Sequence, residues 1–321
     1  MLEGRGAILW GGGLGDALVM RPLLEVLANA GQPAPTYFTT ASHLSELFRE
    51  LALPVDVCYL PRNPLKAVFV LRAAGAFDWV YTGPRFSWKV RLLQYVVRSR
   101  KRLYRPASDP ADFVADNIAE DISFFSNHRT VPYGTLPLFP AGPEREGLLP
   151  EFPYVVIHLG AKSDWETKQW PMEKWQKLLM TLTDMGWNIQ IVGMPSEREH
   201  LSSITAPLHT ADSMVVRTDL SLWELERLIS SAAGVVCHNS GVMHIAVAHH
   251  RPTLVLTGSS AFYWRPAYDW VSNIDSGECS LACNRYRCPV PGYGAKCIRE
   301  LDAGDVVAAF RKCIGDLDGG T

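Results

Sequence analysis

The strongest constraint on the fold of this chain is a repeated alternation of short apolar runs and longer apolar-periodic segments, interrupted once near the middle. The first half reads as strand at 7–10, helix at 17–30, strand near 36–39 and helix near 42–51. Weaker strands follow near 55–59 and 78–82, with a helix near 86–97. The second half reads as strand 154–158, helix 172–185, strand 188–192, helix near 196–202 and strand 214–217. Helix 221–231, strand 233–237, helix 241–249 and strand 253–257 complete it. Between the halves, residues 135–153 (TLPLFPAGPEREGLLPEFP) are rich in Pro and Gly and read as a linker. Strand–helix alternation makes a sheet parallel and covers both its faces with helices. A chain of 321 residues exceeds the usual limit of one core, and 47% apolar residues can fill two. The expectation is an α/β protein of two Rossmann-like domains, 1–145 and 146–300, with parallel sheets facing a central cleft. A C-terminal helix, 302–315 within the last segment 301–321, is expected to start at an Asp302 cap and to pack back on the N-terminal domain.

Within the second half, residues 231–248 (SAAGVVCHNSGVMHIAVA) are the most specific stretch. An apolar run, Ala232 to Val236, ends in the polar turn Cys237-His238-Asn239-Ser240-Gly241, and an apolar-periodic helix follows. A strand feeding a helix through Asn-Ser-Gly gathers backbone N–H groups and a positive dipole end at one point. In an open α/β sheet that point lies at the carboxyl edge, where anionic ligands bind. An ordinary strand–helix connection has the same local pattern. Residues 154–175 repeat the logic. The strand Tyr154 to Ile157 leads into a polar loop with Lys162, Ser163, Thr167 and Lys168, and Pro171 opens the next helix. Lysines and hydroxyls beside a helix N-terminus suit a diphosphate. Solvated lysines would look the same.

The first turn, Gly11-Gly12-Gly13-Leu14-Gly15-Asp16, fails the dinucleotide pattern G-x-G-x-x-G in every frame. No acidic residue ends the second strand near Tyr37. A nicotinamide-dependent oxidoreductase of two Rossmann-like halves is therefore the weaker alternative. Gly13 and Gly15 let another molecule approach the backbone, which makes them acceptor-binding candidates. Asp16 suits either a helix N-cap or a base that takes a proton from a hydroxyl.

Taken together, HLGAKSDWETKQWPMEKW, HNSGVMHIA and the opening AILWGGGLGDALVMRPLLEVLANAG resemble the bacterial family 9 glycosyltransferases, the ADP-heptose heptosyltransferases of lipopolysaccharide synthesis. That family has His-Pro-Gly-Ala, Thr-Lys-x-Trp-Pro and Asn-Asp-Ser-Gly-x-x-His in the same order. The resemblance implies the GT-B architecture and an inverting transfer of a heptose or related sugar from an ADP-sugar to an acceptor hydroxyl. The acceptor would be lipopolysaccharide core, another cell-surface glycan or a protein. It implies Asp16 as base, and Lys168, Thr167, Ser163, Glu197, Asn239, Ser240, Gly241 and His244 as donor contacts, with no metal or other cofactor required for transfer. The chain departs from the pattern at Asn239, where relatives carry Asp: the size is kept and the charge is lost.

Two features remain. Residues 85–105 (RFSWKVRLLQYVVRSRKRLYR) hold eight Lys or Arg and no acid. Arg100, Lys101 and Arg102 are acceptor-binding candidates, for an anionic glycolipid or membrane face. The whole-chain charge of −2 and the absence of an RNA-binding motif argue against nucleic acid. Four cysteines, Cys279, Cys283, Cys288 and Cys297, crowd one stretch. Their spacing is not that of a common zinc finger, and structural zinc or iron there is weighed against plain thiols. A non-catalytic nucleotide-sugar or metal-binding protein is the third reading. With no secretory leader and no apolar run of about 18–20 residues, a cytoplasmic protein with peripheral inner-membrane contact is expected.

Overall fold

The computed structural model describes the chain except residues 1, 11–12, 43, 84–87, 106–112, 127–137, 144, 161–165, 209–212, 280 and 316–321, and the side chains of 88–91 and 126. It divides into two compact units, Met1–Pro140 and Ala141–Thr321.

The first unit contains β1 (Gly6–Leu9), α1 (Leu14–Asn29), β2 (Thr36–Thr39), α2 (Leu44–Glu50), β3 (Asp56–Tyr59), α3 (Pro64–Ala73), β4 (Ala76–Thr82), α4 (Trp88–Val96), β5 (Arg98–Leu103) and α5 (Val114–Ser126). The sheet order is β3-β2-β1-β4-β5, with every pairing parallel. β1 is buried along its whole length because it is the central strand, covered on both faces. On one face, Ala67 and Leu71 of α3 pack with Leu93 and Val96 of α4 against Leu9, Phe38 and Val80. The helix expected near 86–97 is α4, and the edge strand β5, which the sequence reading does not include, follows it.

On α5, Asp121 is almost fully buried and accepts a 2.8 Å hydrogen bond from the Tyr81 hydroxyl. Burial pushes its carboxyl up to about 7, against the opposing effects of the Tyr81 hydrogen bond and the Arg105 charge. The raised folded-state value fixes the sign. The stability linked to this group is complete below the ordinary aspartate range and is lost as pH rises through about 7. Asp121→Asn keeps an acceptor for Tyr81 and is expected to stabilise the unit at pH 8 by up to about 4 kcal/mol, while flattening its pH dependence. Urea midpoints at pH 5 and pH 8 check this. A variant weaker than the wild type at pH 8 would show that the ionised carboxylate is stabilising.

The second unit contains β6 (Tyr154–His158), α6 (Met172–Asp184), β7 (Asn188–Val192), α7 (Arg198–Thr205), β8 (Met214–Arg217), α8 (Leu222–Ser230), β9 (Gly234–His238), α9 (Gly241–Ala248), β10 (Thr253–Leu256), β11 (Val271–Ile274), α10 (Lys296–Arg299) and α11 (Ala303–Ile314). Its all-parallel sheet runs β11-β10-β9-β6-β7-β8. Both units are thus parallel, helix-covered α/β sheets, as the two Rossmann-like domains of a GT-B protein require.

Asp302 caps α11 as expected, accepting from the Gly304 N–H at 2.7 Å. The expectation that this helix returns to the N-terminal domain is corrected. Val306 and Phe310 enter the core of the second sheet beside Val236 and Leu254. The preceding segment is tied to the same unit. Trp170 Nε1 donates to the Leu301 carbonyl at 2.9 Å, and Lys174 Nζ donates to the Arg299 and Leu301 carbonyls.

Candidate active site

In the second unit the strands β10, β9, β6 and β7 end side by side, and the turns that follow them hold most of the candidate residues. Leu256 stands opposite His238, and Cys237 opposite His158, so both histidines lie at the carboxyl edge of adjacent strands. Ser240 occupies the N-cap of α9 in extended conformation, and its own side chain makes no cap hydrogen bond to that helix. Its hydroxyl instead meets His158 Nδ1 at 3.3 Å. The start of α9 is therefore left to attract an anion through its backbone N–H groups and dipole.

Glu197 follows β7 in a short turn and bends back over the sheet edge. The Met194 N–H donates to Glu197 Oε2 at 2.7 Å. A Cβ on Gly160 would sit 2.3 Å from Glu197 Oε1 and 3.2 Å from His158 Nε2. Glycine at 160 is what lets the carboxylate settle there, so Glu197 is half-buried rather than a free surface glutamate. Burial pulls the His158 imidazolium below the ordinary histidine range, and the Glu197 charge opposes that shift.

Lys168 is 8% exposed, a rare state for a lysine. His238 and His244 are buried near it. Burial pushes both rings down to about 3, and the Lys168 charge adds to the effect on each. His238 Nδ1 stands 3.3 Å from the Leu256 carbonyl, which can only accept, so the proton is on Nδ1. Its Nε2 is then a buried lone pair with no hydrogen-bond partner among the described residues. The Trp175 and His238 rings stand edge to face with centroids 5.5 Å apart, as do His244 and Trp264 at 6.0 Å. Two neutral imidazoles thus accompany one nearly buried cation.

Thr167 and Asn239 have roles that the sequence does not reveal. The Thr167 hydroxyl donates to the Arg285 carbonyl and accepts from Ser259 Oγ at 2.7 Å. The Ser259 N–H donates to the Thr167 carbonyl. Gly258 has a φ of +48°, and a Cβ there would lie 2.6 Å from that same carbonyl. Thr167 therefore ties the Lys168 turn to the loop after β10. The Asn239 amide donates to the Trp264 carbonyl. Arg265 holds the same loop through the Ser260 carbonyl and the Asp275 carboxylate, both at 3.1 Å. Lys162 and Ser163 lie outside the described residues.

In the first unit Asp16 stands in the first turn of α1, and the N-cap is Gly13. This corrects both the helix start and the reading of Asp16 as a cap. Its half-buried carboxylate accepts from the Gly13 N–H at 2.8 Å. Tyr37 is fully buried, and its phenol is raised by burial and then by the Asp16 charge. Gly15 lies in the same turn. Arg100, Lys101 and Arg102 are on β5, two strands from β1, so the structure does not bring them to Asp16. Arg100 pairs with Asp78 at 3.5 Å, and Arg102 lies over the Tyr95 ring at 5.1 Å.

All four clustered cysteines, Cys279, Cys283, Cys288 and Cys297, line one small cavity with Thr167, Ser259 and Tyr293. They are free thiols, and burial pushes Cys297 up to about 11. Among the described residues no three His, Cys, Asp or Glu groups stand close enough together to hold a metal ion. The donor set suits zinc or iron, but the thiols share a cavity without converging on one point.

The model of glycosyltransferase family 9 (heptosyltransferase) matches residues 113–293. The chain is 33% identical over 121 residues to lipopolysaccharide heptosyltransferase 1 of Pseudomonas aeruginosa, which covers 36% of the chain and 33% of that protein. The match thus spans about a third of the curated relative's length. Among solved structures, a family 9 glycosyltransferase from Veillonella parvula superposes with a TM-score of 0.65 at 15% identity, covering 97% of both chains. Escherichia coli ADP-heptose lipopolysaccharide heptosyltransferase II gives 0.62 at 18% identity, over 97% of this chain and 98% of that one. The iron-containing dodecameric glycosyltransferase TibC of enterotoxigenic E. coli gives 0.55 at 13%, over 100% of this chain and 81% of that one. At these identities the structures show likeness of fold.

Proposed function

The chain belongs to glycosyltransferase family 9, the heptosyltransferases, and from that premise we propose that it transfers a heptose or related sugar from an ADP-sugar to an acceptor hydroxyl with inversion. The acceptor in this reading is a lipopolysaccharide core or similar anionic glycolipid, met at the cytoplasmic face of the inner membrane. The observation that carries it is the carboxyl edge of the second sheet. A nearly buried Lys168, the folded-back Glu197 and the start of α9, which the Ser240 side chain does not cap, surround it.

In this reading the diphosphate lies between Lys168 and the backbone N–H groups of Ser240 and Gly241, which neutralise the charge that builds as the sugar leaves. His238 and His244, neutral at working pH, supply a polar lining without adding charge to compete with Lys168. His158 orients Ser240. Glu197 accepts from the donor ribose hydroxyls. Asp16 takes the proton of the attacking acceptor hydroxyl as the new glycosidic bond forms and the bond to phosphate breaks. Cys279, Cys283, Cys288 and Cys297 share a cavity without converging on one point, so they would have to draw together to hold a structural zinc or iron, outside this step. Support for that comes from their common cavity and from the iron described for TibC. Elemental analysis should then find close to one metal per chain, and a metal-free protein of full thermal stability would make them plain thiols.

The reading is tested by thermal shift and ADP release with ADP-heptose, a UDP-sugar and NADH. We expect stabilisation by ADP-heptose and acceptor-dependent release of ADP. Tight binding without release would make the chain a non-catalytic nucleotide-sugar binder, and binding of NADH alone would overturn the proposal.

A further inference from the structure

Among the described residues the outer surface of the α3–α4 layer has no partner within its unit, and its composition is unusual. Both helices bury one side against the first sheet. On the opposite side Leu65 and Phe69, one turn apart on α3, are 82% and 74% exposed. Leu92 and Tyr95, three residues apart on α4, are 54% and 63% exposed. Four large apolar groups on adjacent helices leave a soluble fold with surface it has no structural reason to show.

The charge around them is one-sided. Between residues 57 and 108 the sequence holds eleven Lys or Arg and one acid, Asp78, in a chain whose net charge is −2. Lys66 and Arg72 flank the apolar stripe on α3, and Arg98 and Arg100 stand exposed on the neighbouring edge strand. The lone acid is already paired with Arg100 and hydrogen-bonded to the Arg5 backbone.

We propose that this face docks on an anionic lipid bilayer, with Leu65 and Phe69 entering the interface between headgroups and acyl chains and the cations binding lipid phosphates. Apolar side chains ringed by cations are what a bilayer surface of negative charge complements. A second copy of the chain does not fit, because a two-fold contact would set this cationic face against itself. Single-stranded nucleic acid would use the cations and Tyr95 but has no use for Leu65. The inference deepens the membrane contact of the reading above and rests on its lipid-borne acceptor. Vesicle binding needs no transfer, so failure of one is distinguishable from failure of the other.

The test is co-sedimentation of the full chain with vesicles of phosphatidylcholine alone or with about one-third phosphatidylglycerol. Wild-type protein is expected to bind the anionic vesicles at least tenfold more tightly. Lys66→Glu/Arg72→Glu should weaken that binding on the order of a hundredfold, an effect that shrinks as salt is added. Leu65→Ser/Phe69→Ser should weaken it about tenfold or more while leaving the salt dependence and the melting temperature unchanged. All four side chains are exposed, so neither pair should unfold the protein. Equal binding to both vesicle types would overturn the proposal, as would unaltered binding in the Leu65/Phe69 variant. So would a single-stranded RNA that binds more tightly than the vesicles and is indifferent to Leu65 and Phe69.

Discussion

Asp16→Asn is expected to lower transfer turnover by about two to four powers of ten while donor affinity and melting temperature stay near those of the wild type. The reason lies in what Asn keeps. The Asp16 carboxylate accepts from the Gly13 N–H at 2.8 Å, and an amide oxygen accepts there equally. The first turn of α1 is therefore preserved and only the capacity to take a proton is lost. Steady-state kinetics with ADP-heptose and a lipid-core acceptor separates the effects, since a base acts on turnover and not on the donor constant. Near wild-type turnover would remove Asp16 from the chemistry and leave it as a helix-start residue.

Loss of the Lys168 ammonium should act on the donor instead. Lys168→Ala is expected to weaken ADP-sugar binding roughly ten- to hundredfold, the worth of one charge-assisted contact in a dry setting, and to slow transfer because the leaving diphosphate carries more charge at the transition state. Lys168→Met keeps the buried stem and should show the same defect, which separates charge from packing. Isothermal titration with ADP, beside single-turnover rates, makes the measurement. If Lys162→Ala is crippled and both Lys168 variants are not, the diphosphate contact belongs to Lys162.

Much of the second unit was legible because buried parallel strands are continuous apolar runs. Val155 to Ile157, Val235 to Cys237 and Leu254 to Leu256 announce themselves with no help from context. β5 was not, because an edge strand is protected by charge and Arg98-Ser99-Arg100-Lys101-Arg102 has no apolar alternation to read. α3 hid its period for the opposite reason: Leu65 and Phe69 make its outer side as apolar as its inner one. The start of α1 was misplaced because Gly13 has no side chain to signal a cap, while an acid in the first turn looks the same as one at the cap. In the site, strand–turn–helix patterns pointed to Lys168, Ser240 and Gly241. His158 and the engaged hydroxyl of Thr167 depend on partners far along the chain, such as Ser240 and Arg285, and local pattern carries no record of them. The same holds for α11, whose Val306 and Phe310 pack beside Val236 and Leu254, partners far along the chain.

The grip of the Asn239 amide on the Trp264 carbonyl also bears on which residues position 239 can hold. A carboxylate at 239 would have two acceptors facing each other, with no proton to share between them at neutral pH. An aspartate therefore cannot simply replace Asn239 here. The loop from Ala261 to Arg265 would first have to find another anchor for its backbone, and Arg265 already holds it in place from the far side. The choice of residue at 239 and the course of the 261–265 loop are thus tied to each other: a change at one forfeits the contact that holds the other.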